Sequence, residues 1–154
     1  MLILIVGSGR VGSAVAKSAL AAGHEVSVLD VDPLSHERLD MDQRDSWEDS
    51  GGQFTLGTAL EIDALLEAGI ERADVFIAST NGDNTNLVIA QIARKRFNIE
   101  RVIVRVLDPY RAQWYAEQGL DTICPTQHAI EMFERAVLGE AAARGGVALS
   151  LIHI

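Results

Sequence analysis

Leu2-Ile3-Leu4-Ile5-Val6-Gly7-Ser8-Gly9-Arg10-Val11-Gly12 decides the fold. Its first half is a continuous apolar run, the mark of a strand buried on both faces of a parallel sheet. Its second half fits G-x-G-x-x-G, a weak pattern alone but an informative one between a strand and a helix. The chemistry explains the spacing. Gly7 permits a tight turn, Gly9 lets backbone approach a pyrophosphate, and Gly12 lets the helix lie close to the strand. The helix N-terminus then offers unpaired N–H groups and the positive end of its dipole to phosphates. The same glycines would also serve a bare βα turn with no ligand, and the residues downstream weigh against that. Asp30 closes the next strand 18 residues after Gly12, near the separation of about 20 expected for the acid that binds ribose hydroxyls. Val31 follows it, with no arginine adjacent to welcome a 2′-phosphate, so NAD(H) or adenosine nucleotides are expected over NADP(H).

Working outward, strands and helices alternate. Val11, Ala14, Val15, Ser18, Ala19 and Ala22 fall on one helical face of small residues, and Gly23 is placed to end that helix. Glu25–Asp30 and Phe54–Gly57 read as strands two and three, and Glu61–Ala68 as a short helix stopped by Gly69. Val75–Ser79 is the fourth strand, and Asn81-Gly82-Asp83-Asn84 supplies caps for a helix carrying Ile89, Ile92, Ala93 and Phe97 inward. Val102–Val106, a helix over Tyr110–Gln118 stopped by Gly119, and Asp121–Cys124 complete the alternation. The pattern predicts an α/β protein, a Rossmann-like doubly wound parallel six-stranded sheet with right-handed crossovers. Between Asp30 and Asp49 lie eight acidic residues and two arginines, Arg38 and Arg44. That segment reads as a solvated surface element with a weakly patterned helix over about residues 36–47.

Composition narrows the function. With 48% apolar and 23% charged residues in 154, the chain is one ordinary globular unit rather than a disordered or fibrous one. Its charge, 13 − 22 = −9, repels phosphate backbones, so nucleic acid is not an expected partner. The single cysteine, Cys124, cannot form an internal disulfide and reads as a buried, inert thiol in a reducing compartment. Met1 leads into the first strand without a basic leader, and no apolar run is long enough to span a bilayer, so a cytoplasmic, non-spanning protein is expected. A dehydrogenase would need a substrate site that one Rossmann unit leaves little room for. Tyr110 and Tyr115 have Trp114 and Gly119, not lysine, four residues on. His24, His36, His128 and His153 show no spacing for metal or acid–base work. No catalytic or metal residues are assigned.

Several motifs in fixed order resemble a known family. Ile5–Gly12, Val28-Leu29-Asp30-Val31-Asp32-Pro33, Leu66-Glu67-Ala68-Gly69-Ile70 with Ala73-Asp74, Asn81–Leu87, Val104-Arg105-Val106 with Asp108-Pro109, and Pro125-Thr126 are similar to the N-terminal domain of the Trk potassium-uptake regulators, also called the RCK or KTN domain. The resemblance covers roughly residues 2–138. It implies a non-catalytic Rossmann sensor of NAD(H), ATP, ADP or AMP that regulates a membrane potassium transporter or channel subunit from the cytoplasmic face. It also implies roles for particular residues. Gly7, Ser8, Gly9, Arg10, Val11 and Gly12 match the phosphate loop, and Arg10 is the arginine that reaches nucleotide phosphates, sometimes across a subunit interface, unless it is simply solvated. Asp30, with Val31 beside it, matches the ribose-binding acid. Ser79 and Thr80 end the fourth strand, where their hydroxyls either contact the nucleotide or cap the turn. Thr58, followed by Ala59, stands where the family commonly has an aspartate near the adenine, and its hydroxyl can still hydrogen-bond there.

The expected organisation is a nucleotide-binding domain over residues 1–125 and a dimerisation helix and tail over 126–154. Ala129, Ile130, Phe133, Ala136 and Val137 form an apolar stripe on that helix. In the resembled family it crosses to a neighbouring subunit, which implies a homodimer or a higher ring. Val147, Leu149 and Leu151 would extend the stripe, and Gly145–Ile154 reads as the opening strand of a further element. The competing function is a small NAD-dependent oxidoreductase domain.

Overall fold

The first strand, β1 (Leu2–Val6), has all five residues buried, as its unbroken apolar run requires. The structure, a computed structural model, describes residues 1–139. The chain continues through α1 (Arg10–Ala21), β2 (Glu25–Asp30), α2 (Ser35–Asp40), β3 (Gln53–Leu56), α3 (Ile62–Glu67), a 3-10 turn (Ile70–Arg72), β4 (Val75–Ala78) and α4 (Asp83–Lys95). It ends with β5 (Arg101–Arg105), α5 (Pro109–Glu117), β6 (Asp121–Ile123) and α6 (Pro125–Leu138). The strands form one sheet in the order β3-β2-β1-β4-β5-β6. Parallel ladders run from β3 to β5, with Val6 opposite Leu29 on one side and Ala78 on the other. The expected doubly wound parallel sheet is therefore present, and its order reverses between β1 and β4, where ligands sit in such folds.

Two compact units divide the chain, Met1–Val104 and Arg105–Ile154. In the first, Ile3, Ile5, Ala16, Val26, Val28, Leu39, Trp47 and Val75 form a contiguous core. In the second, the Asp108 carboxylate caps α5 by accepting from the Tyr110 N–H at 3.0 Å, with Pro109 in the first turn. Gly119, at φ 93°, ends α5 where the sequence placed the stop. No residue of α6 is buried.

Three expectations are overturned. The buried side of α1 is Gly12, Ser13 and Ala16, while Val11 is 51% exposed and Ala14, Val15 and Ser18 face outward. A stripe of alanines and serines carries little hydrophobic contrast, and the close approach of Gly12 to the loop sets the rotation instead. The acidic segment is not only a solvated surface element, and its helix is shorter than expected. α2 stops at Asp40, and the chain after it turns back to bury Trp47 in the core at 2% exposure. The Trp47 indole N–H donates to the Gln53 carbonyl at 2.9 Å, and its backbone N–H to Asp40 Oδ1 at 2.7 Å. Cys124 is half-buried at the start of α6, with Sγ 3.6 Å from the Leu107 carbonyl, rather than deep in the core. Val147, Leu149, Leu151 and the expected strand from Gly145 lie outside the described residues.

Candidate functional site

A cleft of about 460 Å³ opens over the C-terminal ends of the central strands. Four loops build it. From β1 come Gly7 and Gly9, from β2 Asp30, Val31 and Asp32, from β3 Gly57 to Leu60, and from β4 Ser79 to Gly82. Gly7 holds φ +97° and donates its N–H to Leu29 O at 2.9 Å, so the loop begins tied to the neighbouring strand. Gly9 precedes the first turn of α1 with no side-chain cap, which leaves that turn's N–H groups to a ligand or to water.

Asp30 organises one end of the cleft. Its Oδ2 accepts from the Ser8 N–H at 2.6 Å and its Oδ1 from the Asp32 N–H at 2.9 Å. Each carboxylate oxygen keeps a further lone pair, so the group holds the glycine loop and can still accept hydroxyls from the cleft. Thr58 Oγ1 accepts from the Leu60 N–H at 3.2 Å, and Thr58 and Ala59 both line the far side. Val31 lines the rim and is exposed.

The hydroxyls after β4 are largely committed. Ser79 Oγ lies 3.1 and 3.0 Å from the Val6 and Gly7 carbonyls, which pins the β4 turn to the glycine loop. Thr80 Oγ1 donates to Asn86 Oδ1 at 2.6 Å, and the Thr80 N–H donates to the same oxygen at 2.9 Å. Asn86 is fully buried and returns a bond from Nδ2 to Thr80 O at 3.0 Å. Ser79 and Thr80 line the cleft, so they shape it whatever else they touch.

Sequence reasoning missed two residues here. Asn86 is the clamp just described. Its signal was the six-residue spacing from Thr80 across the start of α4. Arg38, from α2, is the one lysine or arginine among the described residues that lines the cleft. Its Nη1 is 3.4 Å from Ser8 O and 3.2 Å from Ser35 Oγ. Arg10 and Val11, by contrast, are exposed in the first turn of α1 and do not line the cleft. Ser8 is fully buried behind it. His36 also departs from expectation, since carboxylates flank it. Nε2 faces Glu48 Oε1 at 2.5 Å and Nδ1 faces Asp40 Oδ2 at 3.5 Å. One ligand atom from each of the three lies within 4.8 Å of the others, but each ring nitrogen already has its own carboxylate. Among the described residues no helix is long and apolar enough to cross a membrane.

The sequence model of the TrkA-N domain matches residues 3–126. The chain belongs to the TrkA-N domain family. It is 38% identical, over 99% of its length, to the Trk system potassium uptake protein TrkA of Streptomyces coelicolor. Against the Mycobacterium tuberculosis TrkA it is 29% identical over 89% of its length. It spans 68% and 60% of those two relatives. Solved structures give the same fold. The Kef C-terminal domain of Shewanella denitrificans in AMP-bound form superposes with a TM-score of 0.71 at 23% identity, covering 99% of this chain and 92% of that one. GsuK bound to ADP gives 0.70 at 22% identity, covering 87% of this chain and 33% of that one.

Proposed function

We propose that this TrkA-N domain is a nucleotide-sensing regulatory element of potassium uptake that binds NAD(H), ATP, ADP or AMP without turning it over. The observation that carries the reading is the cleft at the β1/β4 switch point, with an uncapped helix N-terminus beside Gly9 and the Asp30 carboxylate at its ribose end. AMP and ADP in the structural neighbours, and the potassium-uptake names of the relatives, support the ligand class and the role. In this reading Gly7 to Gly12 cradle phosphates, Asp30 takes the ribose, Thr58 and Ala59 face the adenine, and Ser79 and Thr80 hold the floor. The partner is a membrane potassium transporter or channel subunit, met at its cytoplasmic face. Losing a hydrogen bond to a charged group costs about 1.5–3 kcal/mol. Asp30→Ala is therefore expected to weaken NADH and ADP by about tenfold or more in calorimetric titrations. A wild-type chain that binds none of NAD(H), ATP, ADP or AMP at millimolar ligand refutes the reading.

Assembly follows from α6. Phe133 is 73% and Val137 77% exposed, and Met132 and Leu138 lie beside them. Residues 1–125 form the nucleotide-binding part in this reading, and the helix beyond pairs with a second copy, burying that patch. Light scattering should return a homodimer or larger ring at tens of micromolar, and Phe133→Asp should shift it to monomer. A monomeric wild type would sink the assignment.

A further inference from the structure

Beside the nucleotide cleft lies a second hollow, about 530 Å³, over the flank of α1 and α2. Arg10, Lys17 and Arg38 line it together with Ser13, Ser18, Ala14 and Met41. No acidic side chain among the described residues lines it, although the chain carries 22 acids against 13 lysines and arginines. Three cations gathered without a counter-charge repel one another, and an anion between them relieves that repulsion. Two of the three are held in place. Lys17 Nζ donates to Met41 O at 3.0 Å, and Arg38 is steered by Ser8 O and Ser35 Oγ. Arg38 belongs to both hollows, so it is the bridge between them.

We infer that this basic hollow is a second phosphate subsite, taking a phosphate group that the cleft ligand carries in addition to the one over the glycine loop. The inference rests on the nucleotide reading of the cleft. Asp30 and Asp32 give the cleft itself two carboxylates against one guanidinium, so an extra phosphate is better placed beyond Arg38 than beside Asp30. Arginine can grip it through a planar fork and lysine through a point charge. The sequence put no arginine adjacent to Asp30. The fold brings one from eight residues further on, because α2 folds back against α1.

The extra phosphate can sit on the 5′ chain or on the ribose 2′ position, and calorimetry with AMP, ATP, NADH and NADPH on the full chain distinguishes them. ATP should exceed AMP, or NADPH exceed NADH, by about tenfold. Lys17→Ala, outside the cleft, should narrow that gap by about threefold, and Arg38→Ala should close it. Arg38→Lys keeps the charge and should restore part of the gap. A wild type with neither gap, or variants that leave the gap unchanged, would overturn the subsite while leaving the cleft intact. A wild type that binds none of the four at millimolar ligand fails at the cleft itself.

Discussion

Trp47→Ala is expected to lower the free energy of unfolding by about 3–5 kcal/mol, the cost of emptying a buried indole site. A domain of this size has only about 5–15 kcal/mol in total. The size of the effect follows from where the ring sits. Trp47 is 2% exposed and shares a core with Ile3, Ile5, Val26, Val28 and Leu39, residues contributed by β1, β2 and α2. Gly52 closes over the ring so tightly that a Cβ there would stand 2.1 Å from Cε2. The indole N–H would leave Gln53 O without its donor, and Asp40 would lose the ordered turn whose N–H it accepts. Urea titration of wild type and variant gives the difference directly from the midpoints at shared slope. Asp49→Ala, on the exposed side of the same segment, should stay within about 0.5 kcal/mol. A Trp47→Ala loss below about 1 kcal/mol would return residues 41–52 to the reading of a solvated surface element.

That segment also shows what sequence patterning reaches and what it does not. β1, β2 and the glycine loop were legible because their signals are local. A five-residue apolar run can only be a doubly buried strand here, and three glycines at fixed spacing answer to one turn geometry. Asp30 was legible for the same reason, since the end of a strand is fixed once the strand is. Trp47 was not, because its burial depends on a loop with no period returning to a core assembled from β1, β2 and α2. Arg38 was hidden likewise. Its place in the cleft comes from the angle at which a six-residue helix lies, and no spacing rule encodes that. The rotation of α1 was misread because Ala14, Ser18 and Ala22 differ too little in hydrophobicity from Ser13 and Ala16 to choose a face. Contact with the loop chose it, through Gly12. Histidine 36 gave no motif because its two carboxylate neighbours sit on different turns, four and twelve residues away.

Gly12 therefore carries the second large expected effect, and its neighbour Gly9 separates the two jobs of the loop. A Cβ on Gly12 would stand 1.8 Å from Gly7 O and 2.9 Å from Gly7 C. No rotamer relieves this, because the clash belongs to Cβ itself and its partner is backbone. Gly12→Ala must push α1 away from the loop, and overpacking of that kind costs about 1–3 kcal/mol. The displacement also breaks the site. Gly7 O is the acceptor of the Ser79 hydroxyl, so moving it unpins the β4 turn from the glycine loop. Nucleotide affinity should fall by about tenfold or more, since the loop N–H groups that would face the phosphates move with α1. At Gly9 an added Cβ meets nothing within 4 Å, and φ is −75°, a value any residue adopts. Gly9→Ala should accordingly leave stability within about 0.5 kcal/mol of wild type. Its methyl instead occupies the face on which a pyrophosphate would lie, so affinity for NADH and ADP should drop while the urea midpoint holds. The two glycines would then part company, one serving the packing of α1 and the other the approach of the ligand. A Gly9→Ala variant with unchanged affinity for NADH and ADP would mean that the loop is only a turn, and the cleft beside it would lose its assignment.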